Sequence, residues 1–289
     1  MLAAAPAVAA MAGAGLGSAL MVHLLAFRAG GIWPFLAAAG AVIAILGRGE
    51  RARVWSRLLL AASLVLLGMS LLTEGLAPAG RSPALQNLLG RTRGPYLGFL
   101  FGVAMTVLTG SSSATVAFLM ALAQAMDKSA GTLALTPLCG AVLGANLGTS
   151  VTPWVASGRL GAAARQVAGA YLFYKLLLAA FLLPLAAPFG ALVGILTRQA
   201  TELLTGGETL PGSDPARLTA NLHLCVNLLG VVAAVPLAGA LSRLAERWIP
   251  SARDGEEAPR LLEETLKTPE LALAQARCEV LRLTDAVRG

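Results

Sequence analysis

Two patches of this chain concentrate side chains able to handle a small polar solute within otherwise apolar sequence. The first is Thr109-Gly110-Ser111-Ser112-Ser113-Ala114-Thr115. The second is Gly144-Ala145-Asn146-Leu147-Gly148-Thr149-Ser150-Val151-Thr152, and residues 116–123 between them are as apolar as a membrane helix. The patches offer hydroxyls, one carboxamide and glycine backbone, which are hydrogen-bonding groups rather than nucleophiles. Backbone freed from helix bonding at membrane depth persists only where it is buried in protein or lines a cavity, so the stretch reads as a site. No Ser-His-Asp arrangement, metal-ligand cluster or phosphate-binding loop accompanies it, and no enzyme is expected.

The elements that must position these patches are membrane helices. The 289 residues are 56% hydrophobic and 13% charged, with a mean hydropathy of +0.73, whereas about a quarter of residues are charged in soluble domains. The net charge of +7 is almost all arginine. These arginines sit in short loops, as the positive-inside rule describes, and no basic face alternates with aromatics as nucleic-acid binding would require. Cys139, Cys225 and Cys278 lie far apart without paired ligand spacing and read as small apolar residues. The chain opens inside an apolar segment, with no charged leader, as if a segment preceded it.

Spans are expected over residues 1–27, 31–47 and 58–77, with Arg48, Arg51, Arg53 and Arg57 against Glu50 marking a cytoplasmic loop. Residues 94–108 fall short of the roughly 20 needed for a crossing and predict a re-entrant or broken helix. Residues 111–126 and 132–156 follow. Residues 166–196 are long enough for a span plus an extension, kinked or ended by Pro184 and Pro188. Residues 218–241 form the last span, about six to eight crossings in all by length. After Pro250 the composition changes, and Leu273, Ala276, Val280, Leu283 and Val287 mark an amphipathic helix in need of a partner.

Gly13-Ala14-Gly15-Leu16-Gly17-Ser18-Ala19-Leu20 echoes the second patch, the two copies lying 131 residues apart. Paired glycine-interrupted segments in corresponding places point to the binding site of a repeat-built transporter. Gly110-Ser111-Ser112-Ser113-Ala114-Thr115, followed by Gly144-Ala145-Asn146-Leu147-Gly148-Thr149, resembles the sodium-dependent phosphate cotransporter family in its bacterial branch with an appended PhoU-like helical domain. Leu67-Gly68-Met69-Ser70-Leu71-Leu72-Thr73-Glu74-Gly75-Leu76 is similar to the span before that family's second repeat, and Thr268-Pro269-Glu270-Leu271-Ala272-Leu273-Ala274 to the opening of the PhoU-like part. The chain departs from the pattern in three ways: Gly110 stands where the family has glutamine, Gly15 stands at the first repeat's Asn position, and the first serine triplet would fall before Met1.

The resemblance implies an all-α polytopic membrane protein, a repeat-built secondary transporter with re-entrant or broken helices, its repeats expected to be inverted. Residues 1–250 would form the transporter domain, with 1–93 a partial first repeat and 94–250 the second. Residues 251–289 would be a linker and the first helix of a PhoU-like domain, so that the chain reads as truncated at both ends. The implied activity is sodium-coupled symport of inorganic phosphate by alternating access across a bacterial inner membrane. Its partners would be phosphate, sodium as coupling ion and the lipid bilayer, with a homodimer left open and no other cofactor. Efflux through the same site, or a transport-inactive anchor presenting the C-terminal helix, are the alternatives.

The resemblance assigns phosphate and sodium coordination to Ser111, Ser112 and Ser113. Thr115, Asn146, Thr149, Ser150 and Thr152 join them by motif position and chemistry. Hydroxyls and backbone N–H groups at the N-termini of broken helices suit a hydrated anion, while hydroxyl, amide and unwound carbonyl oxygens suit sodium. Helix packing is the competing reading, since small residues are enriched where membrane helices approach closely. His23 reads as a buried or interfacial histidine, and Asn221, His223 and Asn227 as interhelical hydrogen-bonding groups. Lys175 and Glu74, as intramembrane charges, are functional candidates.

Overall fold

The structure, a computed structural model, describes residues 4–26, 32–80, 82, 94–125, 135–205, 215–249 and 269–288. Among these residues the elements are helical: α1 (Ala4–Ala26), α2 (Trp33–Leu46), α3 (Glu50–Gly80), α4 (Pro95–Thr109), α5 (Ser112–Ala125), α6 (Leu135–Ala156), α7 (Ala162–Leu182), α8 (Ala186–Thr205), α9 (Pro215–Trp248) and α10 (Pro269–Arg288). Met1–Ile249 and Pro250–Gly289 are separate compact units. The amphipathic piece expected at residues 84–89 and the glycine turns near residues 206–212 lie outside the described residues.

Among the described residues, three helices are long and apolar enough to cross a bilayer: Pro6–His23, Glu50–Leu76 and Pro215–Trp248. The pair Ala162–Leu182 and Ala186–Leu203, bent by 85°, brings the number to four if it counts as one span. This is fewer than the six to eight crossings expected from apolar run length. Trp33–Leu46, Pro95–Thr109 and Ser112–Gln124 are apolar but short, and α6, at 22 residues, is long enough but is not among the candidate spans. At 1.5 Å per residue, the 15 residues of α4 reach only about 22 Å of a hydrocarbon core about 30 Å thick. The bend falls at Leu183-Pro184-Leu185, where proline interrupts the backbone ladder as expected. Leu58, Leu64, Leu71 and Leu72 on α3 and Phe35 and Ile45 on α2 are exposed. Apolar area of that extent on a monomer marks a surface that something apolar covers, and lipid fits it here.

The centre of the larger unit is α6, whose residues Pro137 to Gly148 are all buried. Its partner is α4, and the contact is made by glycine. A Cβ on Gly98 or Gly102 of α4 would run into the backbone of Pro137 or Ala141. One on Gly140 or Gly144 of α6 would run into that of Pro95 or Phe99. Four-residue glycine spacing on both helices lets their backbones touch, the association mode of membrane helices that lack a hydrophobic drive between them. Around this pair, α1, α7, α8 and α9 contribute Val8, Ala12, Tyr171, Tyr174, Leu178, Val193, Leu222 and Val226 to one continuous apolar core.

Candidate functional site

The serine patch is a turn between two short helices. Gly110 has φ 69°, the left-handed region that favours glycine, and its N–H bonds the Thr106 carbonyl at 2.8 Å, closing α4. Ser111 then caps α5: its Oγ accepts from Ala114 N–H at 3.2 Å, and its carbonyl from Thr115 N–H at 3.1 Å. Ser112 and Ser113 are therefore the first helical residues of α5, where backbone N–H groups have no partner within the helix. Among the described residues, the Ser112 and Ser113 hydroxyls make no hydrogen bond to protein, although Ser112 is only 7% exposed.

These groups open onto a cavity of about 310 Å³, room for roughly ten waters at about 30 Å³ each. Ser111, Ser112 and Ser113 line it from the turn, and Asn146, Thr149 and Pro153 from one face of α6. Tyr171 and Lys175 line it from α7, Asn227 from α9, and Gly15 and Ser18 from α1. The two copies of the glycine motif thus face one space. Ser18 and Thr149, at matching positions in them, donate to the carbonyl three residues earlier, Ser18 to Gly15 at 2.8 Å and Thr149 to Asn146 at 2.6 Å.

Five of the eight residues expected from sequence meet at this cavity, namely Ser111, Ser112, Ser113, Asn146 and Thr149. The other three are placed differently. Thr115 is fully buried behind the turn, where its hydroxyl receives that of Thr106 at 2.9 Å and donates to the Ser111 carbonyl at 3.2 Å, fastening α4 to α5. The Ser150 hydroxyl, also buried, is engaged by the Leu147 carbonyl at 2.6 Å. Thr152 is exposed and lies outside the lining. The competing packing reading also holds, for different residues of the same motif: Gly144 and Gly148 face α4, while Asn146 and Thr149 face the cavity.

Lys175 is the group whose place the sequence could not show. It is 2% exposed, its Nζ donates to Asn146 Oδ1, and it lies 5.3 Å from the ring centroids of both Tyr171 and Tyr174. Among the described residues, no Asp or Glu lines the cavity. An ammonium taken out of water is expensive unless charge or oriented dipoles compensate. Here one amide oxygen and two ring faces provide partial compensation. Asn227 holds the His223 carbonyl through Nδ2 at 2.8 Å. His23 bonds Asn221 at 2.8 Å and Asn221 bonds Thr197 at 2.8 Å, so these side chains link α1, α9 and α8 as interhelical hydrogen bonds. Glu74 is exposed on α3 and does not line the cavity.

The chain is 32% identical over 295 aligned residues to the protein named "Putative inorganic phosphate export protein YjbB" in Salmonella typhimurium, covering 99% of this chain and 50% of that one. It is 29% identical to the protein of the same name in Escherichia coli, with the same coverage. It is also 29% identical over 152 residues to the uncharacterized protein YqeW of Bacillus subtilis, covering 53% of this chain and 43% of that one. The chain therefore spans about half the length of the export proteins it matches. No solved structure matches it. The family model described as Na+/Pi-cotransporter matches residues 1–74 and again 64–200. This chain belongs to the Na+/Pi-cotransporter family.

Proposed function

We propose that the cavity between α1, the α4–α5 turn, α6, α7 and α9 binds inorganic phosphate and passes it across a bacterial plasma membrane. The observation that carries this is Lys175, a buried lysine with no carboxylate beside it among the described residues, facing the same space as the Ser112 and Ser113 hydroxyls, which have no protein partner among the described residues. Phosphate supplies what each group lacks: negative charge for the ammonium, and acceptor oxygens for the hydroxyls and the free N–H groups that begin α5. The positive end of the α5 dipole points the same way. Hydroxyl and amide donors also hold a hydrated anion less tightly than a bidentate arginine would, which suits a solute that must leave again.

Outward movement is the direction proposed, in keeping with the printed names of the two export proteins. Alternating access around a repeat interface fits two glycine motifs that face one cavity and a family model that matches twice in succession. The unit from Pro250 onward is proposed to begin a PhoU-like region; on α10, Leu271, Leu273, Val280 and Leu281 are exposed and suited to helix packing. Liposomes containing the chain and loaded with labelled phosphate test the reading. Release faster than from empty liposomes, abolished by Ser112→Ala with Ser113→Ala, is expected; release that survives the double substitution would sink it.

A further inference from the structure

We infer that Lys175 supplies, as a fixed part of the protein, the positive charge that a sodium ion would otherwise bring to this cavity, so that phosphate binds here without sodium. The inference rests on the phosphate reading and concerns the same site. The amide oxygen of Asn146, on the cavity face of α6, is engaged by Lys175 Nζ. On the opposite wall, a Cβ built on Gly15 would lie 3.8 Å from the same Nζ. Gly15 and Asn146 are corresponding positions of the two motifs. The ammonium therefore stands between the two copies, where a coupling cation in a repeat-built site would be shared by both.

What remains around it is poorly suited to a second cation. Among the described residues the cavity has no carboxylate, so a sodium ion would face the ammonium across a space of low dielectric with no fixed negative charge of the protein to offset the repulsion. Ser112, Ser113 and the N-terminus of α5, by contrast, present donors.

Calorimetric titration of the detergent-solubilised chain with inorganic phosphate, in sodium chloride and in choline chloride of equal ionic strength, decides the matter. The affinity is expected to change by less than about threefold between the two media. Lys175→Met is expected to weaken binding about tenfold or more in choline, the scale of one charge-assisted contact, and sodium to restore part of that loss. Wild-type affinity that rises more than about threefold on adding sodium overturns the inference while leaving the phosphate reading intact. So does a Lys175→Met chain that binds phosphate as tightly as its parent. Failure to bind phosphate in either medium overturns the phosphate reading itself, and this inference with it. The wild-type comparison stands even where the variant fails to fold.

Discussion

The side chain of Asn227 fills the place that a side chain at position 15 would take: a Cβ built on Gly15 would lie 2.7 Å from Asn227 Oδ1. The second motif carries its amide on α6, as Asn146. At the first motif the amide comes instead from α9, across the α1–α9 contact, and Asn227 is held there by its bond to the His223 carbonyl. The departure of Gly15 from the motif is thus matched by a partner helix that brings an equivalent group to the same cavity.

Gly15→Asn, which would make the first motif read like the second, is therefore expected to destabilise the chain, by about 1–3 kcal/mol for overpacking at a tight contact. Gly15→Asn with Asn227→Gly is expected to recover part of that loss. Melting temperatures of the two single variants and the double variant form a cycle, and a coupling energy of about 0.5–3 kcal/mol is expected for residues in direct contact. Additive effects would show that the two positions do not share the space.

The glycines of α4 and α6 make a second prediction, on stability rather than binding. Gly144→Ala places a Cβ against the Phe99 carbonyl carbon at 2.8 Å and the Val103 nitrogen at 2.9 Å. Backbone cannot yield as a flexible side chain does, so the helices must separate at a cost of about 1–3 kcal/mol. Gly17→Ala, with nothing within 4 Å of the added Cβ, is expected to be neutral or slightly stabilising by helix propensity, up to about 1 kcal/mol. Thermal unfolding of the two variants in the same detergent distinguishes them.

Much of this arrangement was legible in the residues. The shortness of residues 94–108 and the break at Pro184 follow from local chemistry, namely span length and the missing N–H of proline, whereas the turn at Gly110 was not read from the sequence. The division of labour inside Gly144-Ala145-Asn146-Leu147-Gly148-Thr149 was not legible. Glycine and asparagine two residues apart point to different sides of a helix, but which side meets α4 and which meets the cavity depends on neighbours distant in sequence. Lys175 shows the same limit. An isolated lysine among leucines and tyrosines gives no sign that its Nζ reaches Asn146, 29 residues away.

Thr115 separates a structural hydroxyl from a binding one. Because it joins Thr106 to the Ser111 carbonyl at 0% exposure, Thr115→Val should leave the Thr106 hydroxyl without its acceptor, at a cost of about 1–3 kcal/mol for an unsatisfied buried group. Phosphate affinity should change only as far as the turn loosens. Thr115→Ser keeps the hydroxyl and is expected to recover most of the stability. A Thr115→Val chain that melts like its parent but loses phosphate binding would place Thr115 in the site after all.

The hydroxyls at the cavity should respond in the opposite sense. Ser112→Ala removes a donor with no protein partner among the described residues, so the folded chain loses little and the melting temperature should hold. Bound phosphate loses a hydrogen bond to a charged acceptor, about 1.5–3 kcal/mol, or roughly tenfold to a hundredfold in affinity. Thr152→Ala, at an exposed position outside the lining, should bind phosphate within about twofold of the parent, since surface changes away from such features rarely exceed about 0.5 kcal/mol. Titrating the two variants in parallel sets a residue that lines the cavity against one that shares only its motif. Equal losses from both would mean that position in the motif, rather than position at the cavity, decides which hydroxyls hold the anion.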